Sequence, residues 1–159
     1  MKIALGADHG GYSLKEEMKP LLDELGFEYK DFGTFNESSV DYPDFGIQVA
    51  EKVAGGEYDR GILICGTGIG MSIVANKVPG IRCALVHDCF TAKVTRQHND
   101  SNILAMGARV IGPSLALEIA RLWLTTEFEG GRHANRLGKI EKIEQQYGRE
   151  EGVQGCQAR

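Results

Sequence analysis

The residue best placed to do chemistry in this sequence is Cys65, which closes the apolar run Gly61-Ile62-Leu63-Ile64 and precedes Gly66, Gly68 and Gly70. The run reads as a buried strand, and a helical pattern begins after the third glycine. Alternating glycines open backbone angles closed to other residues, so successive N–H groups can face one anion. The following helix N-terminus adds its positive end. Donors in that arrangement stabilise a thiolate, which makes Cys65 a candidate nucleophile or base. The plainer alternatives are a tight strand-to-helix connection and a packing cysteine. Cys83, inside another apolar run, reads as a packing residue. A dinucleotide fingerprint would need glycine at position 71, and a cysteine attacking phosphorus would want arginine there. The chain has Met71. No Gly-Lys-Ser/Thr follows either, so the turn is not a P-loop.

Other candidates gather around an anion. Asp8-His9 ends the first apolar run, before Gly10-Gly11. A strand-end Asp often only caps a turn, but the adjacent pair fits hydroxyl and phosphate recognition. Arg132 and Arg136, four apart after Gly130-Gly131 with His133 alongside, project from one helical face. Two forked guanidiniums suit a phosphate dianion, although a solvated basic face has the same pattern. Arg109 follows the fifth strand and is a further cation. His98, in Gln97-His98-Asn99-Asp100, ends a helix. That helix runs back along the sheet for about ten residues, roughly 15 Å, so His98 is expected far from its own Cys65. If both are catalytic, a two-fold partner is the natural way to join them.

The elements that must position these residues follow from periodicity. Strands are expected at Lys2 to Ala7, Phe27 to Phe32, Ile62 to Ile64 with Cys65 at its end, Ile81 to Val86 and Asn102 to Met106. Leu14, Met18, Leu21, Leu22 and Leu25 mark a first amphipathic helix, with Pro20 predicting a kink or a lost hydrogen bond and Gly26 a C-terminal cap. Tyr42-Pro43-Asp44 opens a second helix, with Phe45, Val49 and Val53 inward and Gly55-Gly56 at its end. A third runs from the glycine turn to about Asn76. Cys89 to His98 is a helix with Phe90 and Val94 inward. Pro113 starts another with Leu115, Ile119, Leu122 and Trp123, and a last one carries Leu137, Ile140, Ile143 and Tyr147.

Five largely apolar strands alternating with helices predict an α/β fold: a doubly wound, Rossmann-like three-layer sandwich with a five-stranded parallel sheet. Residues 1–147 form one domain in this reading, and 148–159 a polar tail expected to fray. Ligands of such folds sit beyond the carboxyl ends of the strands, where Asp8-His9 and Cys65-Gly66-Thr67 both fall.

Composition narrows the partners. At 159 residues, 42% apolar, 25% charged and net charge −4, nothing global favours nucleic acid or an anionic membrane. A cation for a negative ligand must therefore be local. No run approaches membrane-spanning length and no leader pattern precedes the first strand. The four cysteines form no CxxC pair, which predicts reduced thiols and a cytoplasmic setting. The histidines show no ligand spacing, so no zinc or other metal is expected.

Five stretches in order resemble ribose-5-phosphate isomerase type B, a family that includes the galactose-6-phosphate isomerase subunits. They are Asp8-His9-Gly10-Gly11, Asp41-Tyr42-Pro43, Gly61 to Gly70, Arg96-Gln97-His98-Asn99-Asp100 and Glu129-Gly130-Gly131-Arg132-His133. The resemblance covers residues 1 to 147 and matches the branch that carries the cysteine. It implies aldose–ketose isomerisation of a sugar phosphate, ribose 5-phosphate first, with allose 6-phosphate, galactose 6-phosphate or a tetrose 4-phosphate as alternatives. Cys65 would be the base, His98 would open the sugar ring, and Thr67 with the amides of Gly66, Gly68, Ile69 and Gly70 would hold the enediolate. Asp8, Tyr42 and Asn99 would bind hydroxyls, and His9, Arg109, Arg132 and Arg136 the phosphate. The resemblance further implies no cofactor and a homodimer, in some cases a tetramer, with active sites shared between subunits. A non-catalytic phosphate-binding module is the competing class.

Overall fold

A computed structural model describes residues 1–148, so the tail beyond Gly148, with Cys156, lies outside the described residues. Five strands alternate with helices: β1 (Lys2–Ala7), α1 (Tyr12–Glu24), β2 (Glu28–Asp31), α2 (Tyr42–Ala54), β3 (Arg60–Cys65), α3 (Ile69–Ala75), β4 (Cys83–Leu85), α4 (Cys89–Asn99), β5 (Ile103–Gly107), α5 (Pro113–Thr125) and α6 (Arg132–Gly148). All strand pairs are parallel, in the order β2-β1-β3-β5-β4. The expected doubly wound sheet is present, and its order puts β1, β3 and β5 side by side.

Residue type follows position in that sheet. β3 and β5 are buried throughout, which is why their sequences are almost unbroken apolar runs. The edge strand β2 alternates exposed and half-buried residues. Along β3, Ile62 and Ile64 join one core with Leu14, Met18, Leu22, Ile119 and Trp123. Leu63 and Cys65 join the other, with Val49, Ala50, Met71 and Ala75. The two-residue period of a strand thus aims the Cys65 side chain at the α2–α3 face. Each large side chain so buried contributes roughly 1.5–3 kcal/mol over exposure.

Local signals match the helix ends. Proline stands in the first turn of α2 and α5, and Asp88 caps α4 by accepting from the Thr91 N–H at 2.8 Å. Gly26, at φ +70°, ends α1, and α1 runs through Pro20, which faces solvent.

Four expectations need correction. Phe90 is 74% exposed and Val94 only half-buried; α4 instead turns Ala92 and Arg96 inward. The narrow gap takes alanine, and Arg96 enters because backbone carbonyls meet its guanidinium. Leu115 is likewise exposed, since α5 packs through Ala116, Ile119, Ala120, Trp123 and Leu124. On α6 only His133 and Leu137 are buried, leaving Ile140, Ile143 and Tyr147 at 49–66% exposure. This helix packs on α4 through its first turns and carries its apolar stripe onward, exposed among the described residues. The fourth strand is also shorter than its apolar run, Cys83–Leu85.

Candidate active site

Backbone hydrogen bonds beyond the strand ends tie three loops together. Asp8 N–H donates to Ile64 O at 3.2 Å, Ala108 N–H to Cys65 O at 2.9 Å and Arg109 N–H to Gly66 O at 3.0 Å. Adjacent parallel strands therefore present Asp8-His9, Cys65 to Thr67 and Arg109 at one edge. They line a cavity of about 190 Å³ with Gly10, Tyr42 and Gly70.

Within it, Cys65 is 5% exposed, and its Sγ accepts from the Gly68 N–H at 3.0 Å. The Ile69 N–H donates to Thr67 Oγ1 at 3.3 Å, which leaves the exposed Thr67 hydroxyl hydrogen free to point outward. The glycines serve different ends. Gly68 alone of the three has a left-handed backbone, φ +77°, and a Cβ there would stand 2.8 Å from the Met106 carbonyl carbon. Gly70 makes room for the Tyr42 ring, which a Cβ would meet at 2.8 Å. Asp8 caps its turn. Its Oδ1 accepts from the Gly11 N–H at 3.0 Å, fixing the turn, while the residue lines the cavity. His9 Nδ1 accepts from the Val40 N–H at 3.2 Å.

The remaining sequence-predicted residues stand elsewhere. Gly61 pairs with Ile103 and Cys65 with Gly107, a span of about 13 Å at 3.3 Å per residue. His98 and Asn99, at the end of α4, belong to the far edge, where Asn102 O accepts from the Gly61 N–H. There His98 stacks on His133, centroids 4.1 Å apart and planes within 5°. Arg132 Nε lies 3.4 Å from His133 Nε2, and Arg136 is on the next turn. Glu129 Oε2 is 4.0 Å from His98 Nε2 and 3.6 Å from His133 Nε2. Burial, then the neighbouring His98, Arg132 and Arg136, push His133 below its ordinary proton affinity. Asn99 also borders a larger concavity of about 330 Å³ with Cys83, Leu137 and Ile140. Its one cation, Arg82, is taken up by Asn99 O, Asp100 O and the Asp100 carboxylate. Burial there pushes the Cys83 thiol up to about 12, in keeping with a packing role.

His98, Glu129 and His133 are close enough to suggest a metal centre. The geometry fits poorly. A metal about 2.0–2.1 Å from each imidazole nitrogen must lie near both ring planes, and two stacked, nearly parallel planes share no such point. Two guanidiniums beside them favour an anion instead.

The ribose/galactose isomerase model matches residues 3–140. The chain belongs to that family. Bacillus subtilis YwlF, provisionally named a sugar phosphate isomerase, is 66% identical over 146 residues, covering 91% of this chain and 98% of that protein. The structure of Clostridium thermocellum ribose-5-phosphate isomerase B superposes with a TM-score of 0.91 at 59% identity, covering 92% of this chain and 99% of that one. Mycoplasma genitalium ribose-5-phosphate isomerase B, solved with bound ribulose 5-phosphate, gives 0.87 at 40% identity over 91% and 96%. This protein is thus a sugar-phosphate aldose–ketose isomerase, and among the described residues no helix is long and apolar enough to cross a membrane.

Two features of this isomerase escaped the sequence reading. Glu129 bridges towards both histidines, and because Gly130 and Gly131 at positive φ keep it off α6, helical spacing gave no signal for the contact. Lys15 is fully buried against Asp31. Its place beside Leu14 in a helical stripe gave no sign of that, because lysine normally faces water.

Proposed function

We propose that the chain interconverts ribose 5-phosphate and ribulose 5-phosphate, with Cys65 as the base that moves the proton between C1 and C2. The observation that carries the reading is the Cys65 thiol, met by an amide N–H, in a cavity edged by Asp8, His9, Tyr42, Thr67 and Arg109. Sulfur takes the C2 proton of the open-chain aldose, the electron pair moves into the C1–C2 bond, and negative charge gathers on O1. Thr67 and the amides of Gly66, Gly68, Ile69 and Gly70 receive that charge, as an oxyanion hole does. The O2 proton passes to O1, sulfur returns its proton to C1, and C2 becomes the carbonyl of the ketose. A positioned base contributes about 10²- to 10⁴-fold, and the remote phosphate supplies binding energy that orients the reacting carbons.

His98, Asn99, Arg132 and Arg136 enter this scheme from a second copy of the chain. The cavity of about 190 Å³ is below the roughly 300 Å³ at which ligand sites begin, as half of a site would be. Its surroundings are also apolar and exposed: Ile69, Ile73, Leu85, Phe90 and Val110 all flank the same edge at 38–74% exposure. A two-fold partner covering that patch would bring the histidine-arginine cluster over the cavity, giving His98 for ring opening, Asn99 for a hydroxyl and two guanidiniums for the phosphate. Asp8 and Tyr42 hold the remaining hydroxyls, and His9 and Arg109 complete the phosphate site.

A coupled assay across pentose, hexose and tetrose phosphates tests the reading. Cys65→Ala is expected to lower kcat on ribose 5-phosphate by orders of magnitude while the sugar phosphate still binds. Near-normal turnover by that variant overturns the role given to Cys65.

A further inference from the structure

Lys15 is a charged residue where the fold calls for an apolar one. Its side chain is wholly buried on α1, bonded to Asp31 Oδ2 and 3.2 Å from Glu16 Oε1. The Tyr12 and Phe35 rings flank its ammonium at 5.5 and 5.2 Å. Burying an ammonium is costly even when paired, and a well-packed apolar residue serves stability as well or better. Stability alone therefore does not account for the ion pair, whereas what it positions can.

Its contacts lead along one loop. Asp31, at the end of β2, uses its second oxygen, Oδ1, to accept from the Gly33 N–H at 2.8 Å. Gly33 O and the Thr34 N–H both grip Ala7, at 2.6 Å each, one residue before Asp8-His9. Phe35, two-thirds exposed, folds back over the Lys15 ammonium, and Ser13 holds Glu37 at 3.1 Å. The loop ends at Val40, whose N–H donates to His9 Nδ1. An Nδ1 that accepts a backbone N–H carries no proton, so a neutral His9 carries its hydrogen on Nε2.

We propose that the Lys15–Asp31 pair, covered by Phe35, is a positioning device that holds residues 33–40 so that Val40 fixes His9 with Nε2–H as its free donor. The consequence for phosphate rests on the reading of His9 as a phosphate ligand. The tautomer does not. With the loop held, His9 and Arg109 are both donors at the cavity before any anion arrives, and binding spends little on ordering them. None of Lys15, Asp31 and Phe35 lines the cavity, so each acts only through the loop.

Two variants and two readouts test this in the full chain. In Lys15→Met, Lys19 still pairs with Asp31 at 2.8 Å, and Phe35→Ala alters only a largely exposed ring. Both are expected to raise KM for ribose 5-phosphate and the inhibition constant of inorganic phosphate by about tenfold, with kcat within about twofold. Lys15→Arg is expected to restore much of the loss. Nitrogen-15 chemical shifts of His9 are expected to show the Nε2–H tautomer in the native chain and a mixture in Phe35→Ala. Variants that lose thermal stability while KM, phosphate inhibition and the His9 shifts stay unchanged would make Lys15 merely structural and overturn the proposal. If Lys15→Met does not fold, Phe35→Ala decides by the same measurements. Should ribose 5-phosphate prove not to be a substrate, the His9 shifts still decide between the two outcomes.

Discussion

The two clusters of chemistry in this chain are built by different means. At the carboxyl edge of the sheet, Cys65 ends β3, Asp8 follows β1 by one residue and Arg109 follows β5 by two, and backbone hydrogen bonds of 2.9–3.2 Å carry the sheet's register into their loops. At the far edge, His98 and Arg132 lie on the ends of two helices and are located by buried side chains. Arg96 reaches the Asp100 carboxylate, Ser101 O and Thr126 O. Arg60 bonds Trp123 O and Leu124 O, and the Trp123 Nε1–H donates to Ser101 Oγ. Glu129 N–H closes the set on Gln97 O at 3.1 Å. The first cluster inherits its precision from the fold. The second depends on guanidiniums satisfying the carbonyls that helix ends leave unpaired.

If the clusters work only across a two-fold partner, separate lesions in each should complement. This gives the largest expected effect. Cys65→Ala and His98→Asn are each expected to be nearly inactive. Mixed after unfolding and refolded together, they should recover about one quarter of native activity, since half of randomly paired dimers hold one intact site. Recovery of nothing from well-folded hybrids would mean that Cys65 and His98 do not serve one shared site.

The second cluster should also be the easier to loosen at a distance. Arg96→Ala removes the guanidinium that links α4 to the α5–α6 connection, leaving Ser101 O buried without that donor. A loss of about 2–4 kcal/mol in urea unfolding is expected. Activity at native temperature should fall through a higher KM, as Arg132 and His98 lose register, with the Cys65 edge intact. Equal falls in kcat and kcat/KM would break the contrast.

This difference in construction also explains what could be read in advance. The carboxyl-edge cluster was legible because strand-end residues of a doubly wound sheet share one edge whatever the strand order. Asp8, His9, Cys65, Thr67 and Arg109 needed only that rule, Gly70 came with the glycine turn after Cys65, and Tyr42 entered only through the family resemblance. Buried charges were not legible. Lys15 and Arg96 look like surface residues until a partner carboxylate or carbonyl is placed beside them, which is tertiary information. Periodicity failed differently on α4 and α6. It marked Phe90, Ile140, Ile143 and Tyr147 as faces to be buried, but hydrophobic spacing does not say by what, and among the described residues they stay 49–74% exposed.

The smallest expected effect separates the clusters by pH. His133 takes up its proton less readily in the folded chain than its ordinary value of 6.5, because of burial first and then His98, Arg132 and Arg136, with only Glu129 opposing. Below 6.5 the unfolded chain then binds more protons than the folded one, so this residue makes stability fall as pH falls through that window. Asp31 works in the opposite sense and lower down. Burial alone would raise it, but Lys15, Lys19 and the Gly33 N–H hold it below 3.8. Its contribution is complete above 3.8 and disappears only as pH falls past its lowered value. Urea midpoints at about pH 7.5 and pH 5.5 should therefore separate less in His133→Gln than in the native chain, whereas Asp31→Asn should lower both midpoints alike. A native-sized pH dependence in His133→Gln would place the titrating group on a residue other than His133.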